Sequence, residues 1–169
     1  MSIPYKKILV PLDGSELAAQ ALPHAEEIAR GLGATLVLYQ VVEATTGFVA
    51  APTGTTAGAP SISVGVGRVG INIMEGEDEG HIHAMDEAEA YLERLATSLH
   101  HRQINAAVDI NTGDPAHYIV GYAAANAIDL IVMSTHGRTG VGRWVYGSVA
   151  TKVLQAAPCA VLLVRPTVR

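Results

Sequence analysis

Cysteine is almost missing from this chain. Cys159 stands alone, which excludes an internal disulfide, and no Cys/His set has the spacing of a zinc site. Aromatic residues are scarce at 5%, with one Phe and one Trp. A core must therefore come from Val, Leu, Ile and Ala, the composition of parallel strands covered by helices. Charge is low at 16%, and the formal net charge is −5. A general nucleic-acid binder needs a basic face to neutralise phosphates, so this balance argues against one. No apolar stretch reaches the ~20 residues needed to span a bilayer. The apolar run that follows Lys6-Lys7 is too short for a signal-peptide core. The expectation is a soluble, cytoplasmic protein without a membrane or nucleic-acid partner.

What is present favours one compact unit. Hydrophobic residues make up 49% of 169 residues, enough for a real core and too many for a disordered chain. One domain over 1–169 is expected. Short apolar runs at 7–12, 34–42, 106–111, 129–134 and 160–164 have strand length. Between them, apolar residues recur at helical spacing over 16–32 and 85–101. Asp114-Pro115 opens a further helix to about 127, as cap and first-turn proline. A last helix is expected over 147–156. Asp13 or Ser15 is suited to cap the first helix.

Residues 44–84 break this rhythm. They are rich in Gly, Ala, Thr, Pro and Ser, with an acidic stretch from Glu75 to Glu79. At ~40 residues this exceeds an ordinary connection several-fold and reads as a flexible insertion. Within it, Gly65-Val66-Gly67-Arg68-Val69-Gly70 matches the dinucleotide fingerprint literally, yet lacks the strand before it and the helix after it. Glu77, Asp78, Glu79, His81 and His83 read as a solvated polar turn rather than a metal site.

The regular alternation of strand and helix implies a doubly wound α/β fold: a five-stranded parallel sheet, Rossmann-like, with helices on both faces. Such sheets take ligands beyond the carboxyl ends of their strands, where the winding reverses. Unusual polar and glycine residues follow the first and fourth strands, which places those strands side by side at the switch point.

The segment after the fourth strand carries the chemistry. Residues 133–150 contain four glycines within eleven positions: Gly137, Gly140, Gly142 and Gly147. Glycine lets backbone N–H groups approach a ligand closely. Gly147-Ser148 falls where a helix begins, and unpaired N–H groups with the helix dipole favour an anion such as phosphate there. Ser148 adds a hydroxyl, and Arg138 and Arg143 add positive charge. Arg138 reads equally as a solvated loop residue, and His136 faces either phosphate or water.

This segment resembles the nucleotide loop of the universal stress protein family, whose pattern is Gly-x-x-Gly, nine residues, then Gly-Ser or Gly-Thr. Here the pattern falls on Ser134, Gly137, Gly147 and Ser148, with Ser134 in place of the first glycine. The opening Lys-Ile-Leu-Val-Pro-Leu-Asp-Gly-Ser and the closing Ala-Pro-Cys-Ala-Val-Leu-Leu-Val-Arg-Pro are also similar to that family. The resemblance covers the chain outside 44–84 and implies the ATP-binding subgroup. It implies a fold like that of the adenine nucleotide alpha hydrolases and a pocket for ATP, or ADP or AMP, with Mg²⁺ as a companion ion.

By that resemblance Asp13 meets the ribose or adenine side, while Pro11 and Leu12 wall the base. Val41 offers backbone groups to the adenine edge, and Met133 and Ser134 line the pocket floor. Gly137, Arg138, Gly147, Ser148, Val149 and Ala150 hold ribose and phosphates. The resemblance also implies a homodimer formed through the last strand, 160–164. An apolar edge strand left unpaired is a liability, so pairing it has physical sense.

No clear catalytic set stands out, so a regulatory, nucleotide-binding role in stress response is the leading expectation. The alternatives are a slow ATPase, for which the sequence offers no convincing general base, and a non-nucleotide-binding interaction module. The Ser134 replacement favours the last; Gly137, Gly147 and Ser148 together speak against it.

Overall fold

The structure is a computed structural model and describes residues 5–43, 79–135 and 147–167. In chain order the elements are β1 (Lys7–Leu12), α1 (Glu16–Ala19), α2 (Leu22–Leu32), β2 (Thr35–Val42), α3 (Glu79–His101), β3 (Ala106–Thr112), α4 (Pro115–Ala125), β4 (Leu130–Ser134), α5 (Ser148–Ala156) and β5 (Ala160–Val164). The five strands form one parallel sheet in the order β3-β2-β1-β4-β5. Winding runs outward from β1 through β2 to β3, then returns to β4 beside β1. The reversal therefore lies between β1 and β4, as the polar residues after those strands imply.

Two cores sandwich the sheet. Ile8, Val10, Leu36, Leu38 and Val132 meet α1, α2 and α3 on one face, through residues such as Leu22, Leu92 and Leu99. Leu9, Val37, Tyr39, Ile131 and Met133 meet α4 and α5 on the other, through Ile119, Ala123 and Val153. Alternate residues of each strand serve opposite faces, so both must be apolar, and β4 is buried at all five positions. The scarcity of aromatics fits this packing of branched aliphatic chains. Among the described residues Tyr39 is the one fully buried aromatic, with its ring centroid 4.5 Å from that of Tyr122.

Three boundaries differ from the sequence expectation. The single helix over 16–32 is two helices. Pro23 sits in the first turn of α2, where its missing N–H costs no helical bond, and the break is pinned by Gln20, which accepts from Thr167 N at 2.8 Å. α3 begins at Glu79, six residues before the expected start at 85, so 79–84 is helix rather than insertion. His81 and His83 therefore lie on a helix and not in a polar turn. Thr112 of β3 holds this first part of α3: its hydroxyl lies 3.3 Å from His81 Nε2 and donates to Met85 Sδ at 3.5 Å. α4 ends at Ala125, two residues early, with Asn126 as its cap. The Gly65–Gly70 fingerprint and the rest of 44–78 lie outside the described residues. Among the described residues, no helix is long and apolar enough to cross a membrane.

At the opposite end of the sheet from the reversal's loops, Asp129 ties β4 to β1. Its Oδ2 accepts from Lys6 N at 2.8 Å and Lys7 N at 3.0 Å. Across the helical layer, Arg102 donates to the buried Glu26 at 2.5 Å and joins α3 to α2.

Candidate functional site

β1 and β4 separate early. Their register covers only Ile8–Leu130 and Leu9–Ile131, whereas β1 pairs with β2 along its whole length to Leu12–Gln40. Pro11 has no N–H with which to continue a ladder toward β4. The strands part there, and a cavity of about 1080 Å³ opens over the carboxyl ends of β1, β2 and β4. That volume is slightly above the ~300–1,000 Å³ usual for small-molecule sites.

Ten of the twelve residues singled out from the sequence line this one cavity. Pro11, Leu12 and Asp13 come from the end of β1, and Val41 from the end of β2. Met133 and Ser134 come from β4, and Gly147, Ser148, Val149 and Ala150 from the start of α5. Gly137 and Arg138 lie outside the described residues, as do His136, Gly140, Gly142 and Arg143.

Each wall has a local cause. After β1 the chain turns at Gly14, whose φ of 78° is the left-handed region that glycine adopts without penalty. Asp13 Oδ1 accepts from Ser15 N at 2.9 Å, which fixes the half-buried carboxylate at the cavity mouth. The cap of α1 is Ser15 and not Asp13: its hydroxyl accepts from Ala18 N at 3.1 Å. Asp13 thus holds the turn instead of the helix.

At the end of β4, Ser134 and Thr135 are buried. Thr135 N donates to Val164 O at 2.9 Å, and Thr135 O accepts from Gly147 N at 2.7 Å. These bonds bring the chain back to the point it left and aim α5 at the cavity. No side chain caps α5 at Gly147, and the first bond within the helix runs from Thr151 N to Gly147 O at 2.9 Å. The N–H groups of Ser148, Val149 and Ala150 have no acceptor in the helical pattern, and all three residues line the cavity. Such a helix start suits an anion.

The wall opposite is α3, which the sequence reading missed. Gly80, His81, Ala84, Glu87, Tyr91 and Arg94 line the cavity along its inner side. Burial raises the Tyr91 hydroxyl above the ordinary tyrosine value, with the Asp13 charge adding and Arg94 opposing. Tyr91, Asp13 and Arg94 therefore share one electrostatic neighbourhood. The spacing of 84, 87, 91 and 94 is a one-faced helical pattern. It was unreadable as a site because only tertiary packing brings that face over β2. On the other face of the sheet, burial pushes the Tyr39 hydroxyl up to about 12; Asn111 opposes and the Asp109 and Tyr118 charges add.

Comparison with known proteins gives the fold a family. The model of the universal stress protein family matches residues 4–61 and 69–165. The chain belongs to the universal stress protein family. Universal stress protein MJ0531 of Methanocaldococcus jannaschii is 31% identical over 161 residues, spanning 95% of this chain and 82% of its own. The solved structure of MJ0577, a universal stress protein of the same organism, superposes with a TM-score of 0.76 at 25% identity, covering 99% of this chain and all of that one. Two further structures share the fold at lower identity. A universal stress protein in complex with cAMP has a TM-score of 0.63 at 18% identity, covering 97% of this chain and 99% of that one. An Arabidopsis thaliana family member with AMP bound has a TM-score of 0.61 at 15% identity, covering 96% and 92%.

Proposed function

We propose that this universal stress protein binds an adenine nucleotide, ATP or its relatives ADP and AMP, in the cavity over β1, β2 and β4. The reading is carried by one observation: the uncapped start of α5 opens into a cavity whose other walls include the apolar end of β1, the end of β2 and the buried Met133. Apolar walls suit a base and an unsatisfied helix start suits phosphate, and here they share one space. The AMP and cAMP complexes of the two structural relatives support the same ligand class.

In this reading Pro11, Leu12 and Met133 pack against the base and Val41 offers backbone groups to its edge. Asp13 accepts from a ribose hydroxyl. The phosphates meet the N–H groups of Ser148, Val149 and Ala150 and the Ser148 hydroxyl, with Gly137 and Arg138 of the loop completing the set. Ser134 stands where the family pattern has glycine; its hydroxyl is small enough to face the ribose. A Mg²⁺ ion would need no cage of protein ligands, because it is usually held by one or two carboxylates and the phosphates themselves. Asp13, Glu43 and Glu87 are the carboxylates that line the described cavity.

The bound nucleotide serves regulation rather than turnover, in a cytoplasmic homodimer. β5 is the edge of the described sheet, and Leu162 on it is 36% exposed. Pairing two such edges would satisfy their free backbone groups and cover Leu162. Binding of ATP in a calorimetric titration, lost when Gly147 is replaced by a bulky residue, is the test; undiminished affinity in that variant would refute the proposed phosphate position.

A further inference from the structure

Along β2, residues Leu36, Leu38 and Gln40 fall on one face in alternation. Leu36 and Leu38 are fully buried in the core beneath α2 and α3. Gln40 takes the next place in that column, where another leucine would extend the core. Its register partners are Leu12 on β1 and Ile110 on β3, so an apolar side chain stands on either side of it. Gln40 is only 8% exposed, it lines the cavity, and its Oε1 is buried without a hydrogen-bond partner. Buried side-chain polar atoms are overwhelmingly paired, and an orphaned carbonyl loses its hydration without compensation. A packing role would be served better by leucine. The position therefore calls for a donor that arrives with a ligand.

We propose that Gln40 Oε1 accepts a hydrogen bond from the exocyclic 6-amino group of the bound purine, which makes Gln40 a specificity-determining residue. The inference rests on the reading of the cavity as an adenine-nucleotide site. Gln40 directly precedes Val41 at the carboxyl end of β2, and both residues line the cavity. An acceptor at this point distinguishes three purines by chemistry alone. Adenine presents an N–H donor at position 6, hypoxanthine presents a carbonyl that would repel Oε1, and unsubstituted purine presents neither. The opposite amide orientation would present Nε2 instead and favour a 6-oxo base, so the two orientations give opposite base preferences.

The test is calorimetric titration of the nucleotide-free protein with ATP, inosine triphosphate and purine riboside triphosphate, in wild type and in Gln40→Leu and Gln40→Glu. Wild type should prefer ATP to both others. In Gln40→Leu the preference for ATP over purine riboside triphosphate should shrink by roughly three- to tenfold, the worth of one hydrogen bond. Gln40→Glu keeps an acceptor and should keep the preference. Leucine continues the apolar column, so thermal unfolding of that variant at or above the wild-type temperature would show the fold intact. ATP binding with an unchanged preference in Gln40→Leu would overturn the role of Gln40 while leaving the adenine site standing. So would wild type holding inosine triphosphate as tightly as ATP. Failure of all three triphosphates to bind wild type would overturn the adenine-site reading itself, and this inference with it.

Discussion

Replacing Gly147 with aspartate should strengthen the empty protein and disable its site. Gly147 is the N-cap of α5 with φ −54° and ψ 152°, angles open to any L-residue, and its position has no side chain to cap the helix. An aspartate there can accept from the orphaned N–H groups of the first turn. The cap adds a few tenths of a kcal/mol over glycine, and the charge at the positive helix end adds a similar amount, together about 0.5–1 kcal/mol. For a chain of this size the melting temperature should rise by about 1–4 °C. The same carboxylate would stand where a phosphate is proposed to bind. Two unit negative charges ~4 Å apart at an effective dielectric of ~20 repel by about 4 kcal/mol, a loss of roughly a thousandfold in affinity. Thermal unfolding without nucleotide and calorimetry with ATP measure the two effects separately. Gly147→Ala, which adds bulk without charge, separates repulsion from crowding. An aspartate variant that binds ATP within threefold of wild type would refute the placement of phosphate at α5.

Other residues give independent checks. Asp129 is held below the ordinary carboxylate value by the backbone N–H groups of Lys7 and Lys6. A lowered folded value means that its contribution is full above the unfolded value near 3.8 and is lost as pH falls through the folded one. Asp129→Ala should therefore cost about 1 kcal/mol at neutral pH, reduced from the buried case by exposure, and nearly nothing at the acid end; urea unfolding across pH 2–7 would reveal a constant gap if this is wrong. Gly113 has φ 143°, and a Cβ there would lie 2.3 Å from Tyr118 Cε2. Gly113→Ala should destabilise by about 1–3 kcal/mol in thermal unfolding; a neutral result would show that the turn relaxes freely. Leu162→Lys puts a charge on the exposed edge of β5 and should convert the proposed dimer to monomer in analytical ultracentrifugation. An unchanged sedimentation coefficient would place the dimer contact elsewhere.

Much of this molecule was legible before its structure. The apolar runs marked all five strands, and β5 at Ala160–Val164 matched to the residue. Polar residues after β1 and β4 disclosed the reversal of winding, because a doubly wound sheet concentrates its unusual residues there. The helix boundaries were less readable. Pro23 sits at the break between α1 and α2, yet the apolar spacing runs through it unbroken and reads as one helix, since both helices bury the same face. Residues 79–84 carry no apolar stripe, and their contact with Thr112 comes from a distant strand. The α3 wall of the cavity and the orphaned Gln40 were invisible for the same reason. Their meaning lies in what packs across from them, and no local pattern records it.

The most direct measurement is calorimetric titration of the nucleotide-free protein with ATP and Mg²⁺, alongside AMP and GTP. Saturable binding of ATP, tighter than that of GTP, is the expected result and would establish the cavity over β1, β2 and β4 as an adenine site. Absence of heat with every nucleotide, from protein whose thermal unfolding shows it folded, would contradict it and leave the start of α5 as a structural turn alone.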